Sequence, residues 1–120
     1  GDRGAADRHN LEASAHEKAM KNLNERAAKI IFRENNKRCG ERMIDLHGLY
    51  VHEAVRFAKE QLQVATFRDD EEVRFIVGKG KHSDAGGAKI RPALEELFTE
   101  REVTHSLDPK NAGVLIVRLD

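Results

Sequence analysis

The sequence predicts an α/β protein: a long N-terminal helix followed by a βαβαββ two-layer sandwich with a mixed four-stranded sheet. Three observations lead there. Apolar residues recur every three or four positions from about Asn10 to Asn36, the period of an amphipathic helix. Two short apolar runs, residues 43–46 and 73–77, each end on a glycine-containing polar stretch and are each followed by a helical pattern. Two β-prone runs then close the chain, separated by the turn-rich Asp108-Pro109-Lys110-Asn111-Ala112-Gly113, so they can pair as an antiparallel hairpin.

Taken in order, the first helix is marked by Leu11, Ala15, Ala19, Met20, Leu23, Ala27, Ile30 and Ile31. Ser14-Ala15-His16-Glu17 has the form of a capping box, which allows a break or restart near Ser14. Asn35 and Asn36 suit a helix end. A stripe this long calls for a covering surface, either the following domain or another chain. Lys18, Lys21, Lys29 and Arg33 form either a solvated face or a nucleic-acid face. Residues 37–42 read as a polar connector, dividing a helical extension (1–41) from a domain (42–120).

Strand one is residues 43–46. Alternation puts Ile44 and Leu46 on one face and Asp45 and His47 on the other, and Gly48 lets the chain turn away. Residues 52–66 form the second helix, with Val51, Ala54, Val55, Ala58, Leu62 and Ala65 on one side. A charged turn (68–72) leads into strand two (73–77), whose mostly apolar content suits a buried parallel strand. After the glycine-rich loop (78–87), Pro92 suits a helix start. Ile90, Leu94, Leu97 and Phe98 give that helix its stripe as far as about Arg101. Strands three (103–107) and four (114–119) follow. A strand–helix–strand unit of this length implies parallel strands with a right-handed crossover. Both polar stretches then leave the carboxyl ends of parallel strands, where open α/β sheets bind ligands.

The bulk numbers bound the rest. At 120 residues the chain holds one domain with a real core and little more,. No apolar run approaches the roughly 18–20 residues of a membrane span, so no membrane partner is expected. No secretory signal is visible. The opening Gly-Asp-Arg-Gly lacks Met, which fits a fragment or a processed chain. Cys39 is the single cysteine. It excludes an internal disulfide and Cys-based zinc knuckles and fits a reducing, cytoplasmic compartment. It lies beside Arg38 and Gly40 with no histidine near in sequence, so it is a weak candidate nucleophile. The formal net charge is zero, so no global basic field points to nucleic acid. Locally, Lys79, Lys81, Lys89 and Arg91 stand against Asp84 alone, a patch able to hold a few phosphates.

Gly78-Lys79-Gly80-Lys81-His82-Ser83 is neither a Walker A loop, since Gly80 follows Gly-Lys, nor a dinucleotide fingerprint, since Ser83 stands at the third glycine. The physics is nonetheless shared. Gly78 and Gly80 permit close backbone approach, loop N–H groups favour an anion, and Lys79, Lys81, His82, Ser83, Lys89 and Arg91 add charge or donors. The alternative is a surface loop. Asp45 and His47 fit an acid orienting an imidazole for general acid–base work. Side chains two apart on a strand need not touch, so both could instead face a common ligand or metal. Asp45 could equally be a turn cap with His47 packed on the next helix. His9, His16, His52 and His105 read as structural or solvated.

Ile44-Asp45-Leu46-His47-Gly48-Leu49 and its Ala/Val-rich helix resemble the signature of the Smr (small MutS-related) domain. Val77-Gly78-Lys79-Gly80-Lys81-His82-Ser83, with Gly86-Gly87-Ala88-Lys89-Ile90-Arg91-Pro92-Ala93-Leu94, resembles its second motif and the helix after it. Gly113-Val114-Leu115-Ile116-Val117-Arg118-Leu119 resembles its closing strand. The resemblance covers roughly residues 42–120. Upstream, residues 27–36 resemble the end of the helical extension that precedes the domain in eukaryotic members.

This resemblance implies a fold like the carboxyl-terminal domain of bacterial translation initiation factor three. It further implies nucleic-acid binding, often with endonuclease activity: some members nick DNA and others cut RNA, including messenger RNA on stalled ribosomes. Family nuclease function centres on the positions held here by Asp45 and His47, with Gly78, Lys79, Gly80 and His82 gripping the backbone. Val77 departs from the pattern, since many members carry Thr there. The expected partners are RNA or DNA and, through RNA, the ribosome. If a ribose 2′-hydroxyl is the nucleophile, only RNA is cut and no metal is needed. If water is, DNA is open too and a divalent ion (Mg or Mn) is the candidate cofactor. The alternative is a non-catalytic RNA-binding or ribosome-associated module. With aromatics at 5%, such a module would read backbone and shape and would lack base-stacking platforms. A third reading is a protein-interaction domain using the long helix.

Overall fold

The computed structural model describes residues 2–40, 42–78 and 87–119. Helix α1 runs unbroken through Asp2–Asn36. It starts ahead of the apolar period and does not restart at Ser14, because Ala5, Ala6 and Arg8 favour helix without any apolar stripe. The chain divides into two compact units, Gly1–Ile30 and Ile31–Asp120. The first is helical. Of the stripe expected to be covered, Leu11, Met20, Leu23 and Ile30 stand exposed.

The second unit holds the end of α1 and then β1 (Met43–Asp45), α2 (Val51–Phe67), β2 (Glu72–Ile76), α3 (Gly87–Glu100), β3 (Thr104–Asp108) and β4 (Asn111–Arg118). The sheet order is β1-β2-β4-β3. β1 and β2 are parallel, with Ile44 opposite Phe75 and Asp45 opposite Ile76. β4 runs antiparallel to both β2 and β3. This is the mixed four-stranded sheet that the order of elements predicts.

Opposed residues share a face, so the register sorts the sheet. Ile44, Val73, Phe75, Leu115 and Val117 form one buried face. α2 brings Ala54, Ala58 and Leu62 to the core, and α3 brings Ile90, Leu94 and Phe98. Phe75 meets Phe98 at 5.6 Å between ring centroids. Each large apolar side chain fully buried in this way contributes about 1.5–3 kcal/mol. On the other face Arg74 bonds Glu72 at 3.1 Å and reaches Asp108 at 3.1 Å, tying β2 to the far end of β3.

Beyond α1, most strand and helix ends shift by one residue from expectation, and two starts, those of α3 and β4, shift further. α3 begins at Gly87, and Pro92 lies inside it. Pro92 is early enough that its missing N–H forfeits a single bond near the helix start, while its fixed φ suits the helix. β4 begins at Asn111, so the turn shrinks to Pro109-Lys110. Asp108 Oδ1 accepts the Lys110 N–H at 2.8 Å and Asn111 Oδ1 accepts the Gly113 N–H at 2.9 Å. The turn-forming residues thus also cap the strand ends. No described helix is long and apolar enough to cross a membrane.

Candidate active site

The site is built where β1 ends. Ile44 and Leu46 are buried and Leu49 follows them into the core, which pins the strand and the turn after it. Gly48 takes φ +80°, the left-handed region that a Cβ disfavours, and the chain reverses into α2. Helix α2 is capped by Glu53, a buried carboxylate in its first turn that accepts the Tyr50 N–H at 3.3 Å. Negative charge there also complements the helix dipole.

His47 lies just beyond the strand, in that turn, and so does not run parallel to Asp45. Asp45 Oδ1 accepts the backbone N–H of His47 at 3.0 Å and bonds the ring Nδ1 at 2.6 Å. The two readings of Asp45, turn cap and imidazole orienter, are therefore both true of one oxygen. The carboxyl side chain is 14% exposed and the imidazole 57% exposed. In the tautomer with a neutral ring donating from Nδ1 to a carboxylate, the Nε2 lone pair is left for a substrate. That is the arrangement of a general base with its orienter.

The backbone of the pair is held from α1. Asn36 Oδ1 accepts the Asp45 N–H at 2.7 Å, and its Nδ2 donates to the Asp45 carbonyl at 2.9 Å. Asn35 Nδ2 donates to the His47 carbonyl at 2.9 Å. By sequence both asparagines read as helix terminators, and α1 does end at Asn36; the structure adds their bonds to residues 45 and 47. Nothing in local spacing signals a side chain that bonds a strand nine or twelve residues away.

The second polar stretch leaves the same edge. Asp45 is the register partner of Ile76, and neighbouring strands lie about 5 Å apart. Val77 and Gly78 continue β2, donating their N–H groups to the Gly113 carbonyl at 2.8 and 3.3 Å. Gly78 has φ +80°, in the left-handed region that glycine adopts without a Cβ penalty. Lys79, Gly80, Lys81, His82 and Ser83 lie outside the described residues. Lys89 is exposed in the first turn of α3, and Arg91, also exposed, bonds Glu95 at 3.2 Å. Glu95 is thus a counter-charge to Arg91.

The remaining candidates sort plainly. The Cys39 thiol is raised above its ordinary pKa, first by burial and then by the Asp45 charge, and its Sγ donates to the Asn35 carbonyl at 3.6 Å. Such a thiol stays protonated and is a poor nucleophile. His105 bonds the Val103 carbonyl and packs on Phe98. His52 is exposed and stacks on the exposed Tyr50, rings 6.2 Å apart. His16 is exposed on α1, and the His9 side chain lies outside the described residues. Among the described residues no group of three His, Cys, Asp or Glu side chains could hold a metal. Asp45 commits one oxygen to His47, and His82 and Asp84 of the loop after β2 lie outside the described residues. A pocket of about 490 Å³ opens at the opposite end of α2, lined by Leu62, Thr66, Phe67, Arg101, Val103 and Leu119. It lacks an acid–base pair and is not this site.

A four-stranded mixed sheet carries the Asp45–His47 pair, and the sequence model of the Smr domain matches residues 44–120: the chain belongs to that family. It is 35% identical over 119 residues to endonuclease NBR9 of Saccharomyces cerevisiae, covering 99% of this chain and 50% of that one. A Schizosaccharomyces pombe Smr domain-containing protein is 31% identical over 81% of this chain and 47% of its own length. The chain thus spans about half the length of these curated relatives. Among solved structures, the B3BP Smr domain aligns at a TM-score of 0.62 with 29% identity, over 82% of this chain and 97% of that one. The Smr domain of Thermus thermophilus MutS2 aligns at 0.57 with 26% identity, over 66% and 98%.

Proposed function

We propose that this Smr domain is an endonuclease that cuts single-stranded RNA by internal transfer. The observation that supports it is the 2.6 Å bond from His47 Nδ1 to Asp45 Oδ1, with the imidazole largely open to solvent. A relative named as an endonuclease, 35% identical, points the same way. In this reading His47 Nε2 takes the proton of a ribose 2′-hydroxyl. The 2′-oxygen forms a bond to phosphorus while the bond from phosphorus to the 5′-oxygen breaks. The leaving 5′-oxygen takes a proton from water, and His47 returns its own to solvent. The products are a 2′,3′-cyclic phosphate and a 5′-hydroxyl. Asp45 holds the ring and stabilises the imidazolium that forms.

Phosphate charge would be met by loop N–H groups beyond Gly78, whose own N–H is taken by Gly113, and by Lys79, Lys81, Lys89 and Arg91. His82 and Ser83 supply further donors. Exposed Tyr50, on the same turn as His47, offers a ring face to a splayed base. No step uses a metal. RNA in the cytoplasm, on ribosomes or free, is the substrate class this chemistry fits.

The test is labelled single-stranded RNA and DNA, with and without EDTA, for the parent and His47→Ala. RNA cleavage that persists in EDTA, leaves cyclic phosphate and disappears in His47→Ala supports the reading. Equal cutting of DNA, or undiminished cutting by His47→Ala, overturns it.

A further inference from the structure

We propose that Asn35 and Asn36, at the end of α1, are positioning residues for the Asp45–His47 pair. This rests on reading that pair as the reacting group of a nuclease. β1 is an edge strand. The Leu46 N–H pairs with the Ile76 carbonyl at 2.9 Å, so by the alternation of a ladder the N–H and C=O of Asp45 point away from β2. Asn36 occupies that outer side. Its side-chain amide accepts from the Asp45 N–H and donates to the Asp45 carbonyl, at 2.7 and 2.9 Å. These are the two reciprocal bonds that a further strand would make. Asn35 adds a bond to the His47 carbonyl at 2.9 Å. Both residues of the pair are therefore held, through their main chain, by consecutive amides on one helical turn.

That turn is itself fixed within the same unit. Phe32 stacks on Phe57 of α2 with centroids 4.4 Å apart and planes within 2°. Asn36 Nδ2 also donates to the Phe32 carbonyl at 2.7 Å. Ile31 Cγ2 lies 3.9 Å from where a Gly48 Cβ would stand. The end of α1 thus touches α2, the strand and the turn that carries His47.

The imidazole is more than half exposed, so little packs over it. Its direction depends on Asp45 Oδ1 and on the backbone from 45 to 47. A three-residue edge strand frays readily when its outer groups have no partner. Release of the clamp would let the ring wander, and a misplacement of about 1 Å costs on the order of 100-fold in rate. The Smr match begins at residue 44, so both asparagines lie upstream of it.

The test uses the full chain with Asn36→Leu, a near-isostere without hydrogen bonds, alongside Asn35→Ala. Asn36→Asp keeps an acceptor for the Asp45 N–H. Lys37→Ala, whose exposed amine bonds only Glu34 among the described residues, is the control. Three quantities are read: kcat and KM on single-stranded RNA, amide hydrogen exchange residue by residue, and the thermal midpoint. For Asn36→Leu the expected result is a kcat lowered about 10- to 100-fold with KM nearly unchanged. Exchange at the Asp45 amide should quicken about tenfold while Phe75 stays protected. Asn36→Asp should restore protection at Asp45, and Lys37→Ala should match the parent.

An unchanged kcat in Asn36→Leu overturns the proposal. So does a loss of protection that spreads equally through β2, which would mark general destabilisation. If the parent cuts no RNA, the nuclease reading fails on its own. The exchange data then still decide the clamp: opening confined to residues 45–47 supports it, and unchanged protection at Asp45 overturns it.

Discussion

Replacing Asp45 by Asn isolates the electrostatic part of the pair, because the amide keeps the shape of the carboxylate. Its Oδ1 can still accept the His47 N–H, now 3.0 Å from Asp45, so the turn should persist. What is lost is a negative charge on an imidazolium that forms during reaction. With charge centres about 4 Å apart, the attraction is about 1 kcal/mol in water and about 4 kcal/mol at an effective dielectric of about 20. The ring is 57% exposed and the carboxylate 14%, which places the pair between these limits, at about 1–3 kcal/mol. At about 1.4 kcal/mol per factor of ten, kcat should fall about 5- to 140-fold. His47→Ala should cost more, about 10²–10⁴-fold, because the base itself is gone. The assay is single-turnover cleavage of end-labelled RNA, with thermal melting beside it to show that the fold is intact. If Asp45→Asn cuts within about twofold of the parent while remaining folded, the carboxylate does not assist the imidazole and the electrostatic reasoning fails.

Gly48→Ala should destabilise by about 1–2 kcal/mol in urea unfolding. Its φ is +80° while the new Cβ would meet nothing nearer than Ile31 Cγ2 at 3.9 Å; no measurable change would contradict backbone strain there. Glu102 holds φ +56° at the end of α3, so Glu102→Gly should raise stability by up to about 1 kcal/mol, read as a higher melting midpoint. Cys39 has its pKa raised by burial and by Asp45. At neutral pH its thiolate fraction is therefore lower than ordinary, and alkylation by iodoacetamide should be slower than for free cysteine. The rate should climb only at higher pH and should increase in Asp45→Asn; alkylation as fast as free cysteine would contradict the shift.

The order of elements was legible because periodicity switches cleanly, from the helical repeat before Asn36 to the alternation at Ile44–Leu46 and the apolar run ending at Val77. The adjacency of the two strand ends followed from parallel strands alone, and the register shows it for Asp45 and Ile76; the loop from Lys79 lies outside the described residues. The contact between Asp45 and His47 was not legible. It depends on the strand stopping at Asp45, so that His47 enters a turn and swings back onto the carboxylate. Strand alternation, extended one residue pair too far, keeps them apart. The start of α3 was missed because Pro92 attracts attention as a first residue, whereas the helix tolerates it deeper in its opening turns. The part played by Asn35 and Asn36 is a tertiary fact, since their partners lie across a connector.

The closed outer side of β1 constrains how copies of this protein can associate. The Met43 N–H is taken by the Gly40 carbonyl at 3.2 Å and the Asp45 N–H by Asn36, so that border offers an incoming strand no free donors at those positions. The opposite border, β3, has no neighbour beyond it among the described residues. Among the described residues, β3 is therefore the border left open to an added strand, whereas addition at β1 has to forgo the donors of Met43 and Asp45,.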